Sequence, residues 1–276
     1  MVAAAKAVFR REMMAKRKFY RRWKRHFLSN MRRVDKLFSK CRRTGDAKYI
    51  HDLRVTLRRA RLLALIGAPV LGKAPVRQFR QWALSVATAL GQVRDYDVLL
   101  EWLKTNAQVE QSDRTLQKTR QRLWRLTRPA LKKMPRARRR ELVNWKSSGV
   151  KPRKLRDKFL KEREKIGAAL THDAARFQEL TIAGRHQFRR ILRRWRYLRE
   201  LLLSRREQRT DRNLKGLIEF QEALGEMQNC TVVREFYSSP PHSKRRLKLT
   251  GLATLQEQRW LRRSERHLGS FLRISI

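Results

Sequence analysis

Acidic residues are scarce. Asp and Glu number 24 against 70 Lys and Arg, so the 276-residue chain carries a formal charge of +46. An imbalance that large exceeds what solubility needs and calls for an anionic partner: nucleic acid, a phosphate polymer or an anionic surface. Self-repulsion weakens the bare chain, and a bound polyanion stabilises it by linkage. Cysteine is nearly absent. Cys41 and Cys230 stand alone, which excludes a disulfide framework or CxxC metal site and fits a reducing cytoplasm. Lys40, Arg42 and Arg43 favour a Cys41 thiolate, although an unreactive thiol is the default. No apolar run reaches the roughly 18 residues of a membrane span. The basic N-terminus shares the bias of the whole chain and is not assigned as a targeting peptide. Period-2 alternation and Asn-Gly or Asp-Gly hairpin turns are missing. So are GxSxG, GxxxxGK[ST] and paired carboxylates in a plausible cleft. The expectation is an all-α protein that is not an enzyme and uses no cofactor.

Cationic rows at helical spacing are what the chain has in abundance. His51–Leu62 reads HDLRVTLRRARL. As a helix it sets His51, Arg54, Arg58 and Arg61 within an arc of about 80°. Leu53, Leu57, Ala60 and Ala64 are expected on the opposite side, so that one face is apolar and the other a row of cationic forks. At a distance of 135 residues, HQFRRILRRWRYL places Arg189, Arg193 and Arg196 at the same offsets from His186, with Phe188, Leu192 and Trp195 in apolar places. Like charges one turn apart cost about 0.2–0.5 kcal/mol per pair, on the order of 1–2 kcal/mol for the four pairs. A single charge-assisted hydrogen bond from Arg to an oxyanion contributes about 1.5–3 kcal/mol. A bound polyanion therefore reverses the balance, whereas a solvated basic face does not.

Along the chain, helices are expected near 6–43, 47–66, 76–105, 109–133, 154–176, 181–207, 212–237 and 243–273. The first carries an apolar seam of Phe19, Trp23, Phe27, Val34 and Leu37. Thr44-Gly45-Asp46 stops it and caps the next. Met134–Lys154, with Pro135, Ser147-Ser148-Gly149 and Pro152, reads as a connection, with Trp145 as an anchor. The division is 1–134, a linker at 135–153, and 154–276: two four-helix halves. A second anchor supports an internal repeat. ALGQVRDYDVL (Ala89–Leu99) and ALGEMQNCTVV (Ala223–Val233) place Gly91 and Gly225 at nearly the offset of the histidines. Glycine within a helix costs about 1 kcal/mol against Ala, so a close helix–helix approach is expected at both. Arg94, Asp95 and Asp97 are replaced by Gln228, Asn229 and Thr231. If Asp95 or Asp97 orients a first-row arginine, neutral groups must do so in the second half.

These residues, HDLRVTLRRARLL with ALGQVRDYDVLLEWL and the weaker HQFRRILRRWRYLREL with ALGEMQNCTVVREF, resemble the CHAD domain. The resemblance runs over roughly residues 15–272. It implies an all-helical domain of two pseudo-symmetric four-helix bundles that binds inorganic polyphosphate along a basic channel between them, with association to polyphosphate granules. It carries over to His51, Arg54, Arg58, Arg59 and Arg61, and by symmetry to His186, Arg189, Arg193, Arg194 and Arg196. Family members often accompany a triphosphate-tunnel domain with an ExExK motif. Here Glu162-Arg163-Glu164-Lys165 has its lysine one place too early and in a helical context, so that motif is not assigned.

Polyphosphate offers regular charge and no bases, so it needs closely spaced donors; Arg serves as a fork and Lys as a point charge. A bound anion would raise the pKa of His51 or His186. The first helix of each half offers a second basic row: Lys18, Arg21 and Arg25 match Lys158, Lys161 and Lys165 in spacing. His51-Asp52 and His172-Asp173 resemble fragments of a metal-dependent phosphohydrolase site. Asp52 projects about 100° from His51, and no metal site is assigned. Nucleic acid is the main rival partner. Trp23, Trp82, Trp195 and Trp260 sit at core spacing and read as packing, not stacking platforms. No nucleic-acid-binding signature is present, which leaves weak, sequence-independent binding. The sequence assigns no oligomeric state.

Overall fold

A computed structural model describes residues 2–106, 110–143, 152–240 and 243–275. Trp145 lies outside them. The described residues are mostly helical and contain no strand. The helices are α1 (Val2–Thr44), α2 (Ala47–Ile66), α3 (Ala68–Leu71), α4 (Lys73–Ala89), α5 (Gly91–Asn106), α6 (Glu110–Ala130), α7 (Arg136–Val143), α8 (Pro152–Ala175), α9 (Ile182–Leu202), α10 (Arg205–Thr210), α11 (Arg212–Ser238) and α12 (Lys244–Ser275). The expected helix over 76–105 is two: buried Leu90, at φ −78° and ψ −1°, caps the C-terminus of α4, its N–H donating to Val86 O at 3.1 Å, and separates α4 from α5. The connection holds a short helix, α7.

The residues cluster into two compact units, Met1–Leu90 with Ala130–Lys165, and Gly91–Pro129 with Ile166–Ile276. The division into 1–134 and 154–276 describes the sequence, and the compact units cut across it. Residues 91–129 belong with the second unit, and the boundary between the units falls within α8.

In the first unit α1 packs on α2, α2 on α4, and α4 on α7. The expected seam is there: Trp23, Phe27, Val34 and Leu37 are buried, while Phe19 is half-buried against Phe159 at 4.9 Å between centroids. Gly45 adopts φ +66° and donates its N–H to Cys41 O at 2.8 Å, ending α1. Asp46 then caps α2, accepting from the N–H of Lys48 at 2.8 Å and of Tyr49 at 3.3 Å. Together these set the phase of α2 against α1. Trp23 fixes the far end. Its Nε1 donates to Leu63 O at 2.9 Å, and its ring lies so close over Gly67 that a Cβ there would fall 2.1 Å from Cζ2. No side chain fits at Gly67.

In the second unit α11 packs against α5, α9 and α12. One cluster joins Leu99, Trp102, Leu103, Leu116, Cys230, Val233, Tyr237, Leu249 and Ala253. Another sets Phe188 between Phe177, edge-on at 5.2 Å, and Phe220, tilted at 5.7 Å. Arg246 of α12 closes the end of α11 by donating to the carbonyls of Phe236, Tyr237 and Ser239 while lying over both aromatic rings.

Candidate functional site

α2 carries His51, Arg54, Arg58, Arg59 and Arg61 in the first unit; α9 carries His186, Arg189, Arg193, Arg194 and Arg196 in the second. In α2 the core face runs through Ile50, Leu53, Leu57, Ala60 and Ala64. The row flanks that face and does not lie opposite it as a whole: Arg61 and Arg54 stand about 60–80° from its centre, Arg58 about 120° and His51 about 140°. Exposure follows the angle. The three arginines are half-buried and His51 is exposed. On α9 the pattern is the same, with Arg189, Arg193 and Arg196 half-buried and His186 exposed. Half-burial covers the aliphatic stems against the core and restricts the rotamers each guanidinium samples before binding. Arg59 and Arg194 stand roughly 120° round their helices from the centre of each row, so they are not members of it.

The first arginine of each row is held by the neighbouring helix. Arg54 donates from Nη1 to the carbonyl of Ala87 in the last turn of α4, where the helix dipole favours a cation. Arg189 lies against α11 with Nη2 3.2 Å from where a Cβ on Gly225 would sit. Gly225 therefore admits a guanidinium, and the expected close approach of helix backbones is not its reason. His186 Nδ1 lies 2.9 Å from Gln228 Oε1. With that oxygen as acceptor, Nδ1 carries the proton, and Nε2 can donate to an anion only in the imidazolium. Gln228 thus meets the histidine of the second row, whereas the neutral groups of this stretch were expected at an arginine.

Other placements depart from the expectation. Buried in α5, Asp97 accepts from Nε of Arg120 of α6 at 2.7 Å. At the matching place in α11, Thr231 donates to Glu257 Oε1 at 2.8 Å, and Arg234 Nε donates to Glu257 Oε2 at 2.8 Å. The carboxylate has moved to the adjacent helix. Arg196 has Glu200 one turn on, Nε to Oε1 3.4 Å, so this position of the second row is partly neutralised. The Arg196–Glu200 spacing was legible in the sequence; Ala87 and Gln228 as holders of the rows had no local signal.

The secondary basic rows do not divide one to each unit. Lys18, Arg21 and Arg25 on α1 and Lys158, Lys161 and Lys165 on α8 all belong to the first unit. Lys158 donates to Glu162 at 2.9 Å, which also ties the first carboxylate of the Glu162–Lys165 stretch into a helical ion pair. The His-Asp pairs take local roles. Asp52 lies 3.6 Å from Arg33, and His172 Nδ1 is 3.1 Å from Asp173 Oδ1. Among the described residues no cluster of three His, Cys, Asp or Glu could hold a metal ion, and no helix is long and apolar enough to cross a membrane. Trp23 is fully buried, as expected; Trp82, Trp195 and Trp260 are half-buried. Cys41 and Cys230 are buried thiols.

The family model described as CHAD domain matches residues 25–238. No curated protein matches the chain. Among solved structures, the crystal structure of the CHAD domain from the plant Ricinus communis is similar at TM-score 0.66 and 19% identity, covering 90% of this chain and 91% of that one. PptA from Streptomyces chartreusis is similar at TM-score 0.52 and 16% identity, covering 91% and 98%. The helical content, the two histidine-led rows and the family match over most of the length lead to one conclusion: the chain belongs to the CHAD domain family.

Proposed function

We propose that the protein binds inorganic polyphosphate through the rows His51–Arg54–Arg58–Arg61 and His186–Arg189–Arg193–Arg196, without catalysis. The observation that carries this reading is that each row is half-buried along the flank of a core helix and has its first arginine held by a neighbour, Ala87 O for Arg54 and the Gly225 surface for Arg189. Held, regularly spaced forks suit a ligand that offers oxyanions at every repeat and nothing else to read. A net charge of +46 supports the ligand class. Binding weakens steeply with salt, as counterions released from the polymer set the affinity. A protein with this affinity partitions with polyphosphate-rich granules.

The test is simultaneous reversal of Arg54, Arg58, Arg189 and Arg193 to Glu, with long-chain polyphosphate titrated at fixed salt. Binding is lost while far-UV circular dichroism is retained. Affinity that survives the reversal overturns the proposal. Long polyphosphate should displace DNA and RNA far better than the reverse; equal competition would make the rows general polyanion surface. Sustained phosphate release on incubation with polyphosphate and Mg²⁺ or Mn²⁺ would overturn the non-enzymatic part.

A further inference from the structure

A cavity of about 430 Å³ opens within the second unit, lined from α5 by Trp102, Thr105 and Asn106, from α11 by Glu226 and Cys230, and from α12 by Gln256, Arg259, Trp260, Arg263 and Arg266. α9, which bears the second row, contributes nothing to it. On α11, Glu226 and Cys230 point roughly 150° away from Gly225 and Gln228, which meet the row. The cavity is thus separate from the row on α9, and its volume is that of a small-molecule site.

Its α12 wall repeats a familiar spacing. Gln256, Arg259, Arg263 and Arg266 stand 3, 4 and 3 residues apart, as do His51, Arg54, Arg58 and Arg61. This is a third ladder of forks, on a helix face beside the core residues Ala253 and Ser264. Two features distinguish it from the others. The first is aromatic surface: half-buried Trp260 lies on the α12 wall and buried Trp102 lines the cavity from α5, with the Arg263 guanidinium 5.2 Å from the Trp260 ring centroid. The second is a fixed polar floor. Trp102 Nε1 donates to Gln256 Oε1 at 2.9 Å, Gln256 Nε2 donates to Asn106 Oδ1 at 2.5 Å, and Asn106 Nδ2 donates to Trp102 O at 2.9 Å. Each amide is locked by the next, so the floor is organised before any ligand arrives.

A bare phosphate polymer uses the forks and ignores the indoles. A neutral aromatic uses the indoles and makes no use of the three guanidiniums. A ligand that uses both carries a planar ring and a run of phosphates. We propose that this cavity binds a nucleoside polyphosphate, its base against the Trp260 and Trp102 surface and its phosphates along Arg259, Arg263 and Arg266. Glu226, whose Oε2 accepts from Asn229 at 3.3 Å, is the acceptor for a ribose hydroxyl, as acidic residues are in dinucleotide sites.

The test uses the full chain with ATP, inorganic triphosphate and adenosine as probes, followed by tryptophan fluorescence and calorimetry. ATP binds at least about tenfold more tightly than either fragment and quenches fluorescence, since a stacked base alone is worth that much. Trp260→Ala removes the advantage, Trp260→Phe restores most of it, and Arg263→Glu, an exposed change with no fold to disturb, weakens ATP about tenfold. All three leave long-chain polyphosphate binding unchanged. The quadruple reversal of Arg54, Arg58, Arg189 and Arg193 retains ATP binding, so failure of the polyphosphate reading and failure of this one are told apart. The proposal is overturned if triphosphate binds as well as ATP, if Trp260→Ala has no effect, or if only single-stranded oligonucleotides bind.

Discussion

Replacing Gly225 by Ala separates the stability of α11 from the placement of Arg189. Gly225 lies in mid-helix and is buried. An added Cβ would sit 3.2 Å from Arg189 Nη2 and 3.9 Å from its Cζ and Nε. The crowded atom is the far end of a flexible side chain and needs to yield by only a few tenths of an ångström, so the fold absorbs the change. The helix gains: Ala over Gly in a helix interior is worth about 1 kcal/mol, which for a chain of this size raises the melting temperature by about 2–4 °C. The ligand loses. A charge-assisted hydrogen bond from Arg189 is worth about 1.5–3 kcal/mol, and a guanidinium pushed off its seat forfeits part of that. If half is lost, affinity for polyphosphate falls on the order of fivefold. Stability and affinity therefore move in opposite directions.

Gly216 supplies the control. It lies on the same helix, and a Cβ there would meet nothing within 4 Å. Gly216→Ala gains the same helical preference and displaces no arginine, so it stabilises the chain and leaves affinity alone. Both variants are measured by thermal and urea unfolding and by titration with polyphosphate of one defined length at one salt concentration, because affinity shifts strongly with salt. Two results refute the reasoning. If Gly225→Ala binds as the parent does, the glycine does not position a ligand-binding fork. If Gly225→Ala destabilises while Gly216→Ala stabilises, Arg189 cannot yield, and packing alone demands the glycine.

Asp97→Ala takes a buried carboxylate from half-buried Arg120 and costs about 3–5 kcal/mol in urea unfolding, most of it recovered when Arg120 is also replaced by Leu; a cost below about 1 kcal/mol would show the pair to be solvated. The Cys230 thiol is pushed from 9.0 up to about 11, by burial and then by Glu226 and Glu257. It should resist alkylation at about pH 8 until the chain unfolds. Because its folded value is the higher one, its contribution to stability is complete below about 9 and is lost as pH rises through about 11, which urea midpoints at rising pH, compared with Cys230→Ala, will report. Asp211, the cap of α11, has its carboxyl held below 3.8, first by the hydrogen bonds from Arg199 and also by the N–H of Leu214, against the opposing effect of burial. Its contribution is present above 3.8 and is lost as pH falls through the lowered folded value, so stabilities of the parent and Asp211→Asn converge in acid.

What could be read from the sequence was what repeats at helical spacing. The rows on α2 and α9, the stop and cap at Gly45 and Asp46, the buried seam of α1 and the absence of strands all follow from local pattern. The rest was decided by neighbours distant in sequence. Leu90 breaks the helix over 76–105 although Gly91 is the residue that stands out, and nothing local marks Ala87 as the acceptor for Arg54. Asp97 sits three residues from Arg94, and nothing local marks Arg120 as a donor to it, a contact reached only once α6 has folded back on α5. Lys158 keeps the spacing of a phosphate row, but Glu162 one turn away takes it. In a chain with so few acids, each carboxylate decides which cations are spoken for, and the pattern of cations alone cannot. That is why the ladder on α12 is informative. Its spacing is that of the other two, and the two tryptophans and the locked amides beside it, visible only in the fold, are what set its ligand apart.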